Sequence, residues 1–151
     1  VSDFVEERNV FVGQDLGSRE DVLRFISGKA VELGYGASVA DVLKAFEVRE
    51  KEGPTGMMDG IAVPHAKSNA IGRVGIIVVR TTKALTWPSF DEAPIDVSIA
   101  LMVPEDKAST THLKLLSKLA VLVMDEDFRS NLRQMQEPGD IARCINAGLP
   151  E

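Results

Sequence analysis

The sequence predicts an α/β protein built on a single mixed β-sheet with helices on both faces, and three observations predict it. Two runs rich in β-branched residues, 73–82 and 95–103, are apolar enough for strands covered on both sides. Amphipathic helical patterns both precede and follow that strand block. The chain has 151 residues, which fits one domain spanning 1–151.

The elements follow in order. Asn9 to Val12 alternates as a short strand, and Asp15-Leu16-Gly17-Ser18 reads as a turn. A helix begins at Ser18 or Arg19, with Asp21 in its first turn and Val22, Phe25, Ile26, Ala30 and Leu33 as its apolar stripe. Gly34-Tyr35-Gly36 ends it. Ser38 caps the next helix, whose stripe is Val39, Val42, Leu43 and Phe46, and Gly53-Pro54 stops it. Ile61-Ala62-Val63 is a short strand ended by Pro64. Two long strands follow, the second bracketed by Pro94 and Pro104. Leu113, Leu115, Leu116, Leu119, Leu122 and Val123 mark a helix starting near Thr110; Asp127 to Met135 and Pro138 to Ala147 are two shorter ones.

Charge excludes some partners. With 17 basic and 23 acidic residues the formal charge is −6, and the basic ones are scattered. An acidic chain without a basic patch argues against nucleic acid and against an anionic membrane surface. No apolar run reaches the ~20 residues of a membrane span. Val1-Ser2-Asp3-Phe4 carries no signal-peptide pattern, and the one cysteine, Cys144, has no partner for an internal disulfide. These features lead to an expectation of a cytoplasmic protein.

Only two histidines occur, at 65 and 112. His65 follows Pro64, which cannot donate to a neighbouring strand, so the ladder is expected to open there. A side chain just past the end of a strand in a helix-covered sheet is a common seat of chemistry; an inert, hydrogen-bonded loop histidine is the plainer reading of the spacing alone. His112 has Leu115, Leu116 and Leu119 at i+3, i+4 and i+7, which puts it on the core-facing stripe, in a first turn that favours an anion. A semi-buried capping histidine fits the position equally. Arg49 lies three residues after Phe46 and seven after Val42, near the apolar side of its helix. A guanidinium there either meets an internal carboxylate such as Asp59, snorkels to the surface, or holds a bound phosphate or carboxylate. Thr55-Gly56 offers a hydroxyl and an unhindered N–H close by.

Other chemistries find little footing. Two histidines without a second cysteine or a carboxylate at ligand spacing do not make a zinc site, and no metal is expected. There is no nucleotide-binding glycine loop and no nucleophile elbow. Trp87 and Phe90, between the long strands, are either an apolar contact patch or ordinary loop packing.

Together the segments VREKEGPTG (48–56), DGIAVPHA (59–66), LTW with Asp91 (85–91), IDVSIALMVPED (95–106) and THLKLLSKLA (111–120) resemble the fructose/mannitol-type IIA component of the bacterial phosphoenolpyruvate-dependent sugar phosphotransferase system. The resemblance runs over residues 8–148. It implies a sheet that is usually five-stranded, and an enzyme of the phosphotransferase kind, a phosphohistidine carrier that needs no cofactor. By resemblance His65 is the phosphorylated histidine, Arg49 the arginine beside the phosphoryl group and His112 the second active-site histidine. The implied partners are the donor HPr, or an HPr-like domain, and the acceptor cysteine of a IIB component, with the membrane IIC permease engaged only indirectly. Thr55 and Gly56 are expected at the phosphate. A regulatory branch of the family, the nitrogen-related IIA protein, carries histidine followed by glycine and lysine; here the segment is His65-Ala66-Lys67, closer to the sugar type. A histidine-dependent phosphoester hydrolase is a third, less favoured reading.

Overall fold

The computed structural model describes residues 4–107, 110 and 112–150. In chain order the regular elements are β1 (Val10–Gln14), α1 (Arg19–Glu32), α2 (Val39–Glu52), β2 (Ile61–Ala62), β3 (His65–Ser68), β4 (Gly75–Leu85), β5 (Ile95–Pro104), α3 (Leu113–Met124), α4 (Glu126–Gln134) and α5 (Pro138–Ala147). Ser18 and Ser38 cap α1 and α2 by accepting from the backbone N–H of Asp21 and Asp41, as their sequence positions require. Gly34 leaves α1 at a φ of +86°, which glycine adopts without strain. The predicted helix start near Thr110 falls partly outside the described residues; the helix proper begins at Leu113.

The sheet is mixed and five-stranded, in the order β1-β4-β5-β2 with β3 also on β5. β1 runs parallel to β4, β4 antiparallel to β5, and β2 and β3 parallel to β5. Strand alternation sorts the core into two layers. Ile76, Val78, Ile99 and Leu101 meet α3, α4 and α5, while Ile77, Val79, Ala100 and Met102 meet α1 and α2. Helices therefore cover both faces, as expected.

One expectation needs correction. The edge strand does not end at Pro64; it resumes at His65 in unchanged register, with Ile61 opposite Val97, Ala62 opposite Ser98 and His65 opposite Leu101. Pro64 removes one donor from the ladder, but its carbonyl still accepts from Leu101 N at 2.9 Å. Val63, whose polar groups face away from β5, gives its N–H to Thr55 O at 2.9 Å. His65 is thus the first residue of a strand, not a residue beyond one.

The connection between β4 and β5 also resolves. Trp87 is core, only 3% exposed, whereas Phe90 is 77% exposed, so the two do not form one patch. Gly56 pairs with Ala62 and lies so near the Pro88 carbonyl oxygen and Ser89 that a Cβ would collide with both. Gly56→Ala is expected to lower unfolding free energy by roughly 1–3 kcal/mol, because backbone has to move to admit the methyl group. Denaturant titration reads this directly; an unchanged midpoint would refute the close approach.

Candidate functional site

Three elements converge on His65. The last turn of α2 brings Arg49, β3 brings His65 and Lys67, and His112 stands at the N-cap position of α3. The two imidazole rings lie 5.2 Å apart between centroids, tilted by 42°. A cavity of about 160 Å³ opens between them, its polar lining made by Arg49, Glu52, His65, Lys67, Glu105 and His112. Both histidines and the arginine are thus brought together.

The protonation pattern of His65 follows from one bond. Its Nδ1 lies 2.9 Å from the Val63 carbonyl oxygen, which can only accept, so Nδ1 carries the hydrogen. Nε2 is left with the lone pair. His65 is 6% exposed, and burial lowers its pKa to about 4. The bond to Val63 opposes that shift, while the positive charges of Arg49 and Lys67, and His112, add to it. His112 is shifted downward too, first by burial and then by the charges of Lys67 and Arg49. Both rings are therefore neutral at pH 7. The Nε2 atom of His112 is buried and, among the described residues, has no hydrogen-bond partner.

Arg49 is half-buried and donates from Nη1 to Gly53 O at 2.7 Å. It has no carboxylate partner among the described residues. Asp59, the internal candidate, is instead bound at 3.0 Å by Arg129 and is also paired with Arg133. The place on the buried stripe of α2 expected for Arg49 belongs to its neighbour: Val42, Phe46 and Glu50 are the buried residues of that helix. Thr55 and Gly56, expected at the phosphate, do not line the cavity. Thr55 gives both its O–H and its N–H to Glu50. Gly56 serves the contact with Pro88.

Lys67 is a site residue that sequence reasoning passed over. Its signal was available: it sits two residues after His65, on the same side of a strand. Glu50 was legible as well, four residues after Phe46, but a carboxylate is an unusual occupant of a core stripe. Cys144 packs partly buried against the layer of α3, α4 and α5, and burial raises its thiol pKa, which fits core packing.

The family pattern of the phosphoenolpyruvate-dependent sugar phosphotransferase system, EIIA 2, matches residues 3–148, and the chain belongs to that family. Among its relatives is the 2-O-alpha-mannosyl-D-glycerate-specific EIIABC component of Escherichia coli, 28% identical over 130 residues. Those residues are 85% of this chain but only 20% of that protein. The nitrogen regulatory protein of Klebsiella oxytoca is 34% identical over 131 residues, 85% of this chain and 78% of that one. The crystal structure of nitrogen regulatory protein IIA-Ntr from Neisseria meningitidis superposes with a TM-score of 0.86 at 25% identity, covering 93% of this chain and 94% of that one. No described helix is long and apolar enough to cross a membrane.

The lowered pKa of His65 sets a pH window. The unfolded chain takes up this proton near ~6.5, the folded protein only near about 4. Between those values the unfolded state holds more protons, so stability falls as pH drops through the window and is complete above it. An NMR titration of His65 is expected to give a midpoint near 4, and His65→Leu is expected to flatten the loss of stability between pH 6.5 and about 4. A His65 midpoint at or above the unfolded value would overturn the assignment.

Proposed function

We propose that this chain is a phosphocarrier that takes a phosphoryl group from phospho-HPr, or an HPr-like domain, on His65 Nε2. The observation that supports this most is the neutral, Nδ1-protonated His65 with its free nitrogen beside Arg49 and His112. In the first step the Nε2 lone pair forms a bond to phosphorus as the donor's P–N bond breaks, in line. The electron pair of that bond returns to the donor imidazole. Arg49 and Lys67 then offset the charge on the phosphoryl oxygens, and the buried Nε2 of His112, once protonated, supplies a donor. A phosphoryl dianion beside His112 favours its protonated form, opposing the burial that lowers its pKa in the free protein. The N-terminus of α3 adds a positive dipole end on the same side.

The partner surface suits a protein rather than a small substrate. Val48, 48% exposed, lines the cavity, and Leu113, 62% exposed, follows His112 directly. Glu52 and Glu105 stand among them as acidic residues complementary to a basic donor. In the sugar branch the second transfer goes to a cysteine thiolate of a IIB component, with a IIC permease downstream and the carrier in the cytoplasm. A second reading, a regulatory protein of the nitrogen-related branch, draws on the 34% identity with the Klebsiella oxytoca protein and on Lys67. Sugar uptake restored in a strain lacking its own IIA component would favour the first; binding that depends on phosphorylation without uptake would favour the second.

The variants divide the roles. Incubated with phosphoenolpyruvate, enzyme I and HPr, the wild type is expected to gain ~80 Da, the mass of one phosphoryl group with its added charge and oxygens. His65→Ala is expected to gain nothing, since the nucleophile is gone. His112→Ala is expected to accept the group slowly and to pass it on poorly. A labelled His65→Ala protein would overturn the assignment, and an unlabelled His112→Ala protein would make His112 the nucleophile.

Arg49→Ala is expected to fold and to lose roughly 1.5–3 kcal/mol of charge-assisted phosphate contact, read as slower labelling in the same assay. Transfer at the wild-type rate would remove Arg49 from the site.

A further inference from the structure

Glu50 is the buried charged group that the transfer just described does not use. Its side chain is 5% exposed, yet it lies beside the catalytic cavity rather than in it. The carboxylate accepts the Thr55 hydroxyl at one oxygen and the Thr55 N–H at the other, the latter at 3.3 Å. Arg19, reaching across from α1, brings Nη1 to within 3.8 Å. A buried carboxylate with two donors and a cation is compensated, so it persists at no great cost. Removing it alone would strand both Thr55 donors, so its role lies in what it holds.

It holds Thr55, and Thr55 holds the acceptor of His65. The Thr55 carbonyl takes the Val63 N–H at 2.9 Å, and the Val63 carbonyl takes the His65 Nδ1–H at 2.9 Å. Val63 alternates with Pro64 on an edge strand, so its N–H and C=O both point off the ladder and are met by these partners instead. The same clasp closes the segment after α2, whose Gly53 carbonyl receives Arg49. We propose that Glu50 is a positioning residue for phosphoryl transfer: through Thr55 and Val63 it fixes the ring orientation and the Nδ1–H tautomer of His65, and through the Gly53–Thr55 turn it seats Arg49. This rests on His65 being the acceptor, as proposed above.

Glu50→Gln keeps the shape but sets an NH₂ against one of the Thr55 donors, and Thr55→Val removes the hydroxyl while keeping the backbone. Two measurements are made on each variant. The first is the His65 ring tautomer by ¹⁵N–¹H correlation NMR, in the absence of any donor. The second is labelling by phospho-HPr resolved into kcat and KM. For Glu50→Gln the expected result is a mixture of His65 tautomers and a kcat lower by about tenfold, with KM for the donor within about twofold of wild type because the docking surface is untouched. Thr55→Val is expected to move both in the same direction by less. A folded Glu50→Gln protein with a single Nδ1–H tautomer and wild-type kcat overturns the proposal. So does a loss carried by KM alone, and so does failure of both variants to fold, which makes Glu50 a folding residue. If the wild type takes no label, the carrier reading fails by itself, and the tautomer comparison still decides whether Glu50 orients His65.

Discussion

The Nδ1–H of His65 is bound to the carbonyl of Val63, two residues earlier on the same edge strand. That carbonyl is available because every second residue of an edge strand turns its N–H and C=O away from the neighbouring strand. Proline at 64 cannot donate to β5, which opens the ladder locally, yet its carbonyl accepts Leu101 N and keeps the register. The strand is therefore interrupted without being displaced. His65 is held by strand pairing on β5 while its ring is held by a carbonyl outside the ladder. The lone pair left at Nε2, the orientation of the ring and its distance from His112 all depend on this arrangement.

Around it the electrostatics run against the chain's overall charge. The molecule carries a formal −6, but the cavity gathers Arg49 and Lys67 beside two imidazoles that burial keeps neutral. A neutral ring offers a lone pair, and the neighbouring cations lower the cost of bringing in an anion. Fewer cations would weaken acceptance, while many fixed contacts would turn a carrier into a trap. Two carboxylates in the cavity lining, Glu52 and Glu105, temper the field.

The site lies at the edge of the sheet, where both helical layers reach past it. α2 belongs to one layer and α3 to the other, and their ends meet over β3. Each contributes a residue that the strand alone could not bring. Glu50, one residue from Arg49, ties the layer of α1 and α2 to the loop beside β3. The same carboxylate thus joins packing, through Thr55 and Val63, to the hydrogen bond on the His65 ring.

Much of this was legible in the chain. The β-branched runs that became β4 and β5, the serine caps of α1 and α2, and the leucines of α3 follow from local periodicity and capping chemistry, which need no distant partner. His112 and Arg49 stood out because polar groups on apolar stripes are costly unless something answers them, and His65 because it follows Pro64 at a strand end. Other features depend on contacts between residues far apart in sequence. β3 was missed because Pro64 reads as an end, and only the partner strand shows that register survives it. Arg49 and Glu50 are adjacent, and helical spacing alone could not choose which of them entered the core; Thr55 and Arg19, arriving from a loop and another helix, chose Glu50. The tautomer of His65 likewise rests on a carbonyl whose direction is set by pairing across the sheet.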